Sequence, residues 1–220
     1  MPKVGVVLSG CGVFDGAEIH EAVLTLYFLQ KNGAETICMA PDIDQLHVVD
    51  HLKGEVAEGE KRNVLTEAAR ICRGDIRNLA DVKVSDFDAL IFPGGFGTAK
   101  NLTDFAVKGA DCGINPEVLR IVRETVLAKK PLGAICIAPV VVAKALAGTG
   151  IKTSVTIGND EGTAEAVETF GVTHVNCSAK DFVADEKNKI VSSPAYMLGQ
   201  SIPEVAEGIE KTVKKLLSMI

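Results

Sequence analysis

The sequence predicts one α/β domain built on a mostly parallel sheet, with helices on both of its faces. Three observations support this prediction. Short apolar runs of strand length alternate with helical patterns along the whole chain. Glycine-rich turns follow several of these runs. No repeat, low-complexity tract or long linker divides residues 1–220. We therefore expect a single domain whose ligands bind beyond the carboxyl ends of the strands.

Composition argues against several classes of protein. Hydrophobic residues make up 47% of the 220 residues and the formal net charge is -6, so the chain can bury a full core but lacks the basic patches that bind nucleic acid. No apolar run approaches the roughly 18 residues that span a membrane, and we expect a cytoplasmic location. The six cysteines form no C-x-x-C pair and have no histidine at metal-ligand spacing. We therefore expect free thiols, no metal and no cofactor.

The chain begins as a strand, a helix and a second strand. Residues 3–9 have the pattern of a buried strand, and residues 35–40 form the second strand. Between them, residues 17–32 are predicted to be helical, with apolar side chains at positions 19, 22, 23, 26 and 29. Gly33 closes this helix.

The loop before this first helix is rich in glycine. Asp15 and Glu18 have the spacing of a capping box at the start of the helix. Gly10, Gly12 and Gly16 suit either a dinucleotide-binding loop or the close approach of this loop to a neighbouring site. We favour the second interpretation, because the glycine spacing is one residue longer than the dinucleotide fingerprint.

A polar stretch over residues 42–60 is predicted to be a hairpin or an extended insertion. His47 and His51 could ligate a metal if this segment were helical, but the residues around them favour strand, so we place both histidines on the surface. A helix follows over residues 63–72, with Asn63 as its N-cap.

Residues 87–92 form a third core strand, which ends in a turn of Pro93, Gly94 and Gly95. A Pro-Gly-Gly sequence at the end of a buried strand makes a sharp turn and exposes backbone N–H groups. Such groups can bind an anion or an oxyanion. A plain connecting turn is the alternative interpretation.

The remaining elements continue the alternation. We predict four helices, over residues 99–108, 115–129, 162–170 and 202–219. We also predict two strands, over residues 152–157 and 172–177, and a hairpin over residues 182–192.

Cys136 lies between a short apolar run, residues 132–135, and a segment that can begin a helix at Pro139. Ala134 and Ala138 lie two residues on either side of it. This is the small-x-nucleophile-x-small pattern of a nucleophile elbow, in which a tight strand-to-helix turn presents a reactive side chain. The helix N-terminus favours a thiolate there. The alternative is a buried cysteine with a purely structural role.

Three loops thus follow strand ends: residues 10–16, residues 93–97 and the turn at Cys136. Because the carboxyl ends of parallel strands meet at one edge of a sheet, we expect these loops to converge there.

With these loops in place, the sequence resembles the ThiJ/PfpI superfamily, whose members share a flavodoxin-like fold with class I glutamine amidotransferases. The turn at residues 93–95, residues 99–102 and the elbow carry this resemblance. A closer resemblance is to the ElbB-type isoprenoid-biosynthesis branch, which is described as a glyoxalase. Five segments carry it: residues 8–16, 18–21, 62–70, 136–139 and 194–197.

The resemblance implies that Cys136 is the nucleophile and that Glu18 is its carboxylic partner. It also implies that the N–H groups of Gly95 and Ile137 form an oxyanion site, and that the protein is a homodimer. Many members of the superfamily have His directly after the elbow Cys, whereas this sequence has Ile137. His20, near Glu18, is then the most plausible replacement base.

We further expect Gly94, Gly12 and Asn101 to line the site of a small reactive aldehyde. The leading hypothesis is a cofactor-independent glyoxalase that converts glyoxal or methylglyoxal to the 2-hydroxy acid through a hemithioacetal on the cysteine, with deglycation as a related activity. The alternatives are a thiol-based redox sensor and a regulatory binding protein linked to isoprenoid metabolism, each with little catalysis.

Overall fold

The computed structural model describes all 220 residues. The chain forms eleven strands: β1 (Lys3–Val7), β2 (Glu35–Ala40), β3 (Val49–Asp50), β4 (Glu55–Val56), β5 (Arg77–Asn78), β6 (Ala89–Phe92), β7 (Leu132–Ile135), β8 (Ser154–Val155), β9 (Thr173–His174), β10 (Val183–Asp185) and β11 (Ile190–Ser193). It forms seven α-helices: α1 (Ile19–Lys31), α2 (Val64–Ile71), α3 (Phe105–Lys108), α4 (Pro116–Leu127), α5 (Pro139–Leu146), α6 (Glu161–Glu168) and α7 (Ile202–Ser218).

Seven of the strands form the central sheet, in the order β10-β11-β7-β6-β1-β2-β5. All neighbours in it are parallel except β10 and β11, which form an antiparallel edge hairpin. The strands β3 and β4 form the hairpin predicted within residues 42–60. The predicted α/β fold with a mostly parallel, flavodoxin-like sheet is therefore confirmed.

The two faces of the sheet bury separate hydrophobic cores. Alternate residues of the central strands point to opposite faces, so that Leu90 and Phe92 pack under α4 and α5 whereas Ala89 and Ile91 pack under α1, α2 and α7. Each central strand is hydrogen-bonded to a strand on either side, so the backbone N–H and C=O groups inside the core have partners. No helix is long and apolar enough to cross a membrane.

Side-chain caps set the helix boundaries that the sequence indicates. Asn63 accepts a hydrogen bond from the N–H of Thr66 at the start of α2, and Asn115 accepts from the first turn of α4, where Pro116 occupies the first position. Ser201 caps α7 in the same way. These side chains satisfy N–H groups that the helix itself leaves unpaired.

The predicted helix over residues 99–108 is wrong in its detail. One wide turn over Thr98–Leu102 ends when the N–H of Thr103 bonds to the carbonyl of Thr98, five residues back. Thr103 then pairs with Ile114 in an isolated bridge, so helical structure resumes only as the short α3. The predicted strands over 152–157 and 172–177 shrink to β8 and β9, a two-residue parallel pair outside the main sheet.

The buried face of α1 also differs from the predicted stripe. Ile19 and Val23 are exposed, although the apolar pattern places them inside. Two of the predicted positions, Ala22 and Leu29, are buried, and they are joined by Glu21, Thr25 and Phe28. The face is rotated because the carboxyl of Glu21 points toward the sheet edge, where it has polar partners.

Candidate functional site

The elbow forms as the sequence predicts. Cys136 joins β7 to α5 with φ 62°, in the left-handed region that costs a non-glycine residue about 1–3 kcal/mol. Its N–H donates to the carbonyl of Ser193 on the neighbouring β11, at 2.8 Å, which holds the strained turn in place. Ala134 and Ala138 are fully buried, so larger side chains would not fit beside the turn. Backbone strain concentrated at one reactive side chain is typical of a catalytic position.

The Cys136 thiol is buried and has two backbone donors. Burial raises its pKa well above the usual value, and the nearby charge of Glu21 raises it further. The N–H groups of Gly95 and Ile137 hydrogen-bond the sulfur and oppose this shift. The elbow therefore holds a neutral thiol in the absence of another proton acceptor, and not the free thiolate that the helix N-terminus alone would favour.

Glu21 supplies that acceptor. Its side chain is fully buried, and it hydrogen-bonds the Cys136 thiol. The two carboxyl oxygens also accept from the backbone N–H of Gly94, at 3.0 Å, and of Tyr196, at 3.2 Å. Burial, helped by the charge of Glu18, raises the pKa of Glu21 to about 8 despite these donors.

Glu21 and Cys136 therefore act as a pair that shares protons. Two N–H groups donate hydrogen bonds to the carboxyl and two others donate to the sulfur, so either the carboxyl or the sulfur can carry the negative charge. Burial raises the pKa of both groups, and the charge of Glu21 raises the pKa of Cys136 further, so loss of the carboxyl proton favours keeping the proton on the sulfur. The site can thus move a proton between sulfur and carboxyl without solvent.

The predicted convergence of the three loops is present in the structure. The strands β1, β6, β7 and β11 are successive neighbours in the sheet, so their carboxyl ends adjoin. The N–H of Glu18 bonds to the carbonyl of Gly94, and the N–H of Gly97 bonds to the carbonyl of Gly16, each at 2.9 Å. Gly95 has φ 101°, and a Cβ on it would lie 2.3 Å from the nitrogen of Glu18. Only glycine allows the loops to approach this closely.

Glu18 is not the carboxyl that contacts the thiol. It is the N-cap of α1, where its carboxylate accepts from the N–H of Glu21 at 2.7 Å. The predicted capping box with Asp15 is also wrong, because the carboxylate of Asp15 instead accepts from the N–H of Val49. With the Glu18 carboxylate at the helix N-terminus, a dinucleotide phosphate would meet a negative charge, so the loop does not suit nucleotide binding.

His20 lies outside the pair as well. Its side chain is half exposed, and Nδ1 hydrogen-bonds the hydroxyl of Tyr196 at 2.9 Å. The nearest carboxylate oxygen, that of Glu18, is 3.9 Å from the ring. Residues that are two positions apart in a helix, such as Glu18 and His20, do not lie on the same face. The structure thus places His20 at the rim of the site and gives it no contact with Cys136.

The remaining predicted residues have mixed outcomes. Gly94 borders the pair so closely that a Cβ would lie 2.4 Å from that of Cys136, but its N–H is already bonded to Glu21 and cannot hold a substrate oxygen. A Cβ on Gly12 would lie 2.7 Å from the ring of His51.

Asn101 is structural. Its amide donates to the carbonyls of Ser9 and Asp15 and accepts from the N–H of Leu46, so its hydrogen-bonding groups are all used in joining loops. It supports the loop over residues 10–16 and does not line the site as predicted.

Glu21 and Tyr196 were not predicted as site residues from the sequence. A signal for Glu21 was present: Glu21, Thr25 and Phe28 recur at the helical spacing of a second stripe, beside the apolar one. Tyr196 contributes its backbone N–H. Because almost every residue type has this group, the sequence does not indicate it. No group of three or more His, Cys, Asp or Glu side chains lies close enough to hold a metal ion.

A family model settles the relationship that this geometry suggests. Residues 11–195 match the model of the DJ-1/PfpI family, and this span contains the elbow, Glu21 and the glycine turn. The chain belongs to the DJ-1/PfpI family. The resemblance to the ThiJ/PfpI superfamily stated from the motifs is therefore confirmed.

Relatives within and around the DJ-1/PfpI family cover nearly the whole chain. The "ES1 protein homolog, mitochondrial" of Rattus norvegicus is 48% identical over 99% of this chain and 84% of its own length. The human "glutamine amidotransferase-like class 1 domain-containing protein 3, mitochondrial" is 47% identical over 99% of this chain and 83% of its own. Both relatives carry mitochondrial names, so the cytoplasmic location expected from the sequence stays a prediction.

Solved structures agree with this assignment. The crystal structure of an isoprenoid biosynthesis protein with an amidotransferase-like domain from Ehrlichia chaffeensis is 39% identical, with a TM-score of 0.93, and covers 100% of this chain and 99% of that one. Glyoxalase III from Candida albicans superposes with a TM-score of 0.65 over 100% of this chain and 97% of that one. At 16% identity it shares the fold alone.

Proposed function

We propose that this member of the DJ-1/PfpI family is a cofactor-independent glyoxalase, with Cys136 as nucleophile and Glu21 as the acid and base. The observation that carries the proposal is the fully buried Glu21 carboxyl, which hydrogen-bonds the strained elbow thiol. A carboxyl whose pKa is raised to about 8 can both accept and donate a proton near neutral pH, which a free carboxyl cannot do. The fold that this chain shares with a glyoxalase III is compatible with the assignment.

In the first step, the sulfur of Cys136 adds to an aldehyde carbon of glyoxal or methylglyoxal. The thiol proton passes to the Glu21 carboxylate as the S–C bond forms, and the π electrons of the C=O bond move to oxygen. Two backbone donors, the N–H groups of Gly95 and Ile137, adjoin the sulfur and would stabilise the developing oxyanion. Protonation of that oxygen by Glu21 gives the hemithioacetal.

In the second step, Glu21 removes the hydrogen on the sulfur-bearing carbon and returns a proton to the adjacent carbon, while the hydroxyl proton of the first carbon passes to the oxygen of the second. The product is a thioester of the 2-hydroxy acid, an isomer of the hemithioacetal, so no oxidant is required. Water then cleaves the thioester to release glycolate or lactate and to restore the thiol. No histidine is needed at the position of Ile137, because the Glu21 carboxyl is the base.

The test is the formation of glycolate from glyoxal in the absence of glutathione and metal. We expect Cys136→Ser to abolish turnover and Glu21→Gln to lower kcat by about 10²–10⁴-fold, the usual contribution of a general acid–base. Glu18→Gln is the matched control, since it changes the other carboxyl of the same helix and should keep most of the activity. Equal losses in Glu18→Gln and Glu21→Gln would refute the assignment of the base.

The main alternative is a thiol-based redox sensor. That function requires a thiol whose pKa is low. Burial raises the pKa of the Cys136 thiol, and the charge of Glu21 raises it further. These properties favour a site that activates the thiol only when substrate enters. Turnover of the wild type no greater than that of Cys136→Ser would instead support the sensor or a binding protein.

We also propose the homodimer that the family resemblance implies. Sedimentation equilibrium of the full chain tests it directly, and a monomer at micromolar concentration would contradict it.

A further inference from the structure

Two further cysteines face one surface cleft on the opposite side of α1 from the site. Cys38 lies in β2, and Cys72 is the C-cap of α2. The cleft has a volume of about 330 Å³ and lies between α1, β2 and the end of α2. Both sulfur-bearing residues line it, together with apolar side chains of α1 such as Val23 and Tyr27. Cys72 is partly exposed there, and Cys38 borders the cleft although it is only 7% exposed, so a small oxidant must enter the cleft to reach the pair.

We propose that Cys38 and Cys72 form a redox-active dithiol, which a hydroperoxide oxidises to a disulfide and a dithiol reductant restores. The proposal does not depend on the function of Cys136. Cys38 belongs to the core under α1, α2 and α7, and Cys72 packs against the same core from the end of α2. The sheet and the end of the helix thus place the two side chains against one another.

The surroundings of the two sulfurs assign different tasks to them. The thiol of Cys72 hydrogen-bonds Cys38, and this lowers the pKa of Cys38 although burial opposes the shift. The same hydrogen bond, together with burial, raises the pKa of Cys72. Cys38 is therefore the thiolate that attacks the oxidant, and Cys72 is the thiol that resolves the product.

The chemistry takes two balanced steps. The Cys38 thiolate attacks one oxygen of the hydroperoxide, the O–O bond breaks, and Cys38 becomes a sulfenic acid while hydroxide, or alkoxide, leaves. The sulfur of Cys72 then attacks the Cys38 sulfur and displaces hydroxide, which takes the proton of the Cys72 thiol. For hydrogen peroxide, two thiols and one peroxide become one disulfide and two waters.

The other thiols lack this arrangement. Cys112 lies in the core on the opposite face of the sheet, and Cys177 lines a different depression. Cys11 is the third thiol that influences Cys72, but burial and the charge of Glu67 raise its own pKa. A link between Cys11 and Cys72 is the competing product that an experiment must distinguish.

The experiment exposes the full-length wild type to one equivalent of hydrogen peroxide, blocks the remaining thiols with an alkylating reagent and maps the peptides by mass spectrometry. We expect a peptide pair joined through Cys38 and Cys72, lighter by two hydrogen atoms than the reduced pair, and its loss after dithiothreitol. The same product in Cys136→Ser would show that it is independent of the elbow thiol.

Three variants complete the test, each checked for folding by circular dichroism. In Cys72→Ser, we expect oxidation to stop at a Cys38 sulfenic acid that dimedone traps. In Cys38→Ser, Cys72 should stay fully alkylatable. Cys177→Ser is the matched control and should form the disulfide like the wild type. Full alkylation of Cys38 and Cys72 after peroxide, or a link of either to Cys11, would overturn the proposal.

Discussion

Replacing Glu21 by Gln should change how stability depends on pH, in a way that follows from the buried carboxyl. The pKa of Glu21 is raised from an ordinary 4.5 to about 8 in the folded protein. Between these two pH values the unfolded chain has lost this proton and the folded protein keeps it. Stability therefore falls as pH rises, by about 1.4 kcal/mol per pH unit. Over the difference of about 3.5 units, the wild type loses up to about 5 kcal/mol, and above pH 8 the loss is complete.

Gln cannot ionise, so the stability of the variant does not decrease in this way as pH rises. It has a cost of its own, because the carboxyl accepts from the N–H groups of both Gly94 and Tyr196, and one of these would face the amide NH₂ of Gln. An unsatisfied buried donor costs about 1–3 kcal/mol. We therefore expect Glu21→Gln to be less stable than the wild type at pH 4.5 and more stable at pH 8, with the two curves crossing between about pH 5 and pH 7.

The assay is urea unfolding at a series of pH values, with the difference in free energy of unfolding between variant and wild type as the readout. Glu18→Gln serves as the control. It keeps the Glu21 carboxyl and its donors, and because the Glu18 charge helps to raise the pKa of Glu21, the fall should persist but begin to level off at lower pH. A difference between Glu21→Gln and wild type that stays constant from pH 4.5 to pH 8 would refute the reasoning.

Three further variants test the supports of the site. Gly95→Ala should cost about 2–5 kcal/mol in urea unfolding and abolish turnover, because φ 101° strains the alanine and its Cβ would meet the nitrogen of Glu18. Gly113→Ala is its control, with no heavy atom nearer than 3.7 Å, and should change stability by under about 0.5 kcal/mol. Asn101→Ala should cost about 2–4 kcal/mol, since two buried backbone carbonyls and one partly buried N–H lose their partner. His20→Ala should change kcat less than about threefold, whereas a loss of about 10²-fold would make His20 the base.

Much of the site was accessible from local patterns. The elbow at Cys136 follows from an apolar run, flanking alanines and a helix start, all within a few residues. The convergence of three loops follows from the rule that parallel strands end at one sheet edge. The caps at Asn63 and Asn115 were equally local, since each side chain bonds to N–H groups two or three residues away.

The choice between Glu18 and Glu21 was not local. Both lie at the start of the same helix, and motif spacing favoured the first. Both are buried. The rotation of α1 about its own axis decides which of them reaches the thiol, and this depends on how α1 packs against the sheet and α7. Asn101 was misjudged for a related reason: its three partners lie on two loops, at residues 9–15 and 46, that only the fold brings to it.

The sequence by itself thus determined the fold class, the order of the central elements and the elbow that presents Cys136, because each depends on periodicity or on turn chemistry over short distances. The tertiary structure decided which carboxyl adjoins the thiol, which N–H groups adjoin the sulfur and which thiols face each other. Those outcomes depend on burial and on contacts between residues far apart in the chain. Desolvation at Glu21 and Cys136, which raises the pKa of both groups, exists only once the core has closed around them.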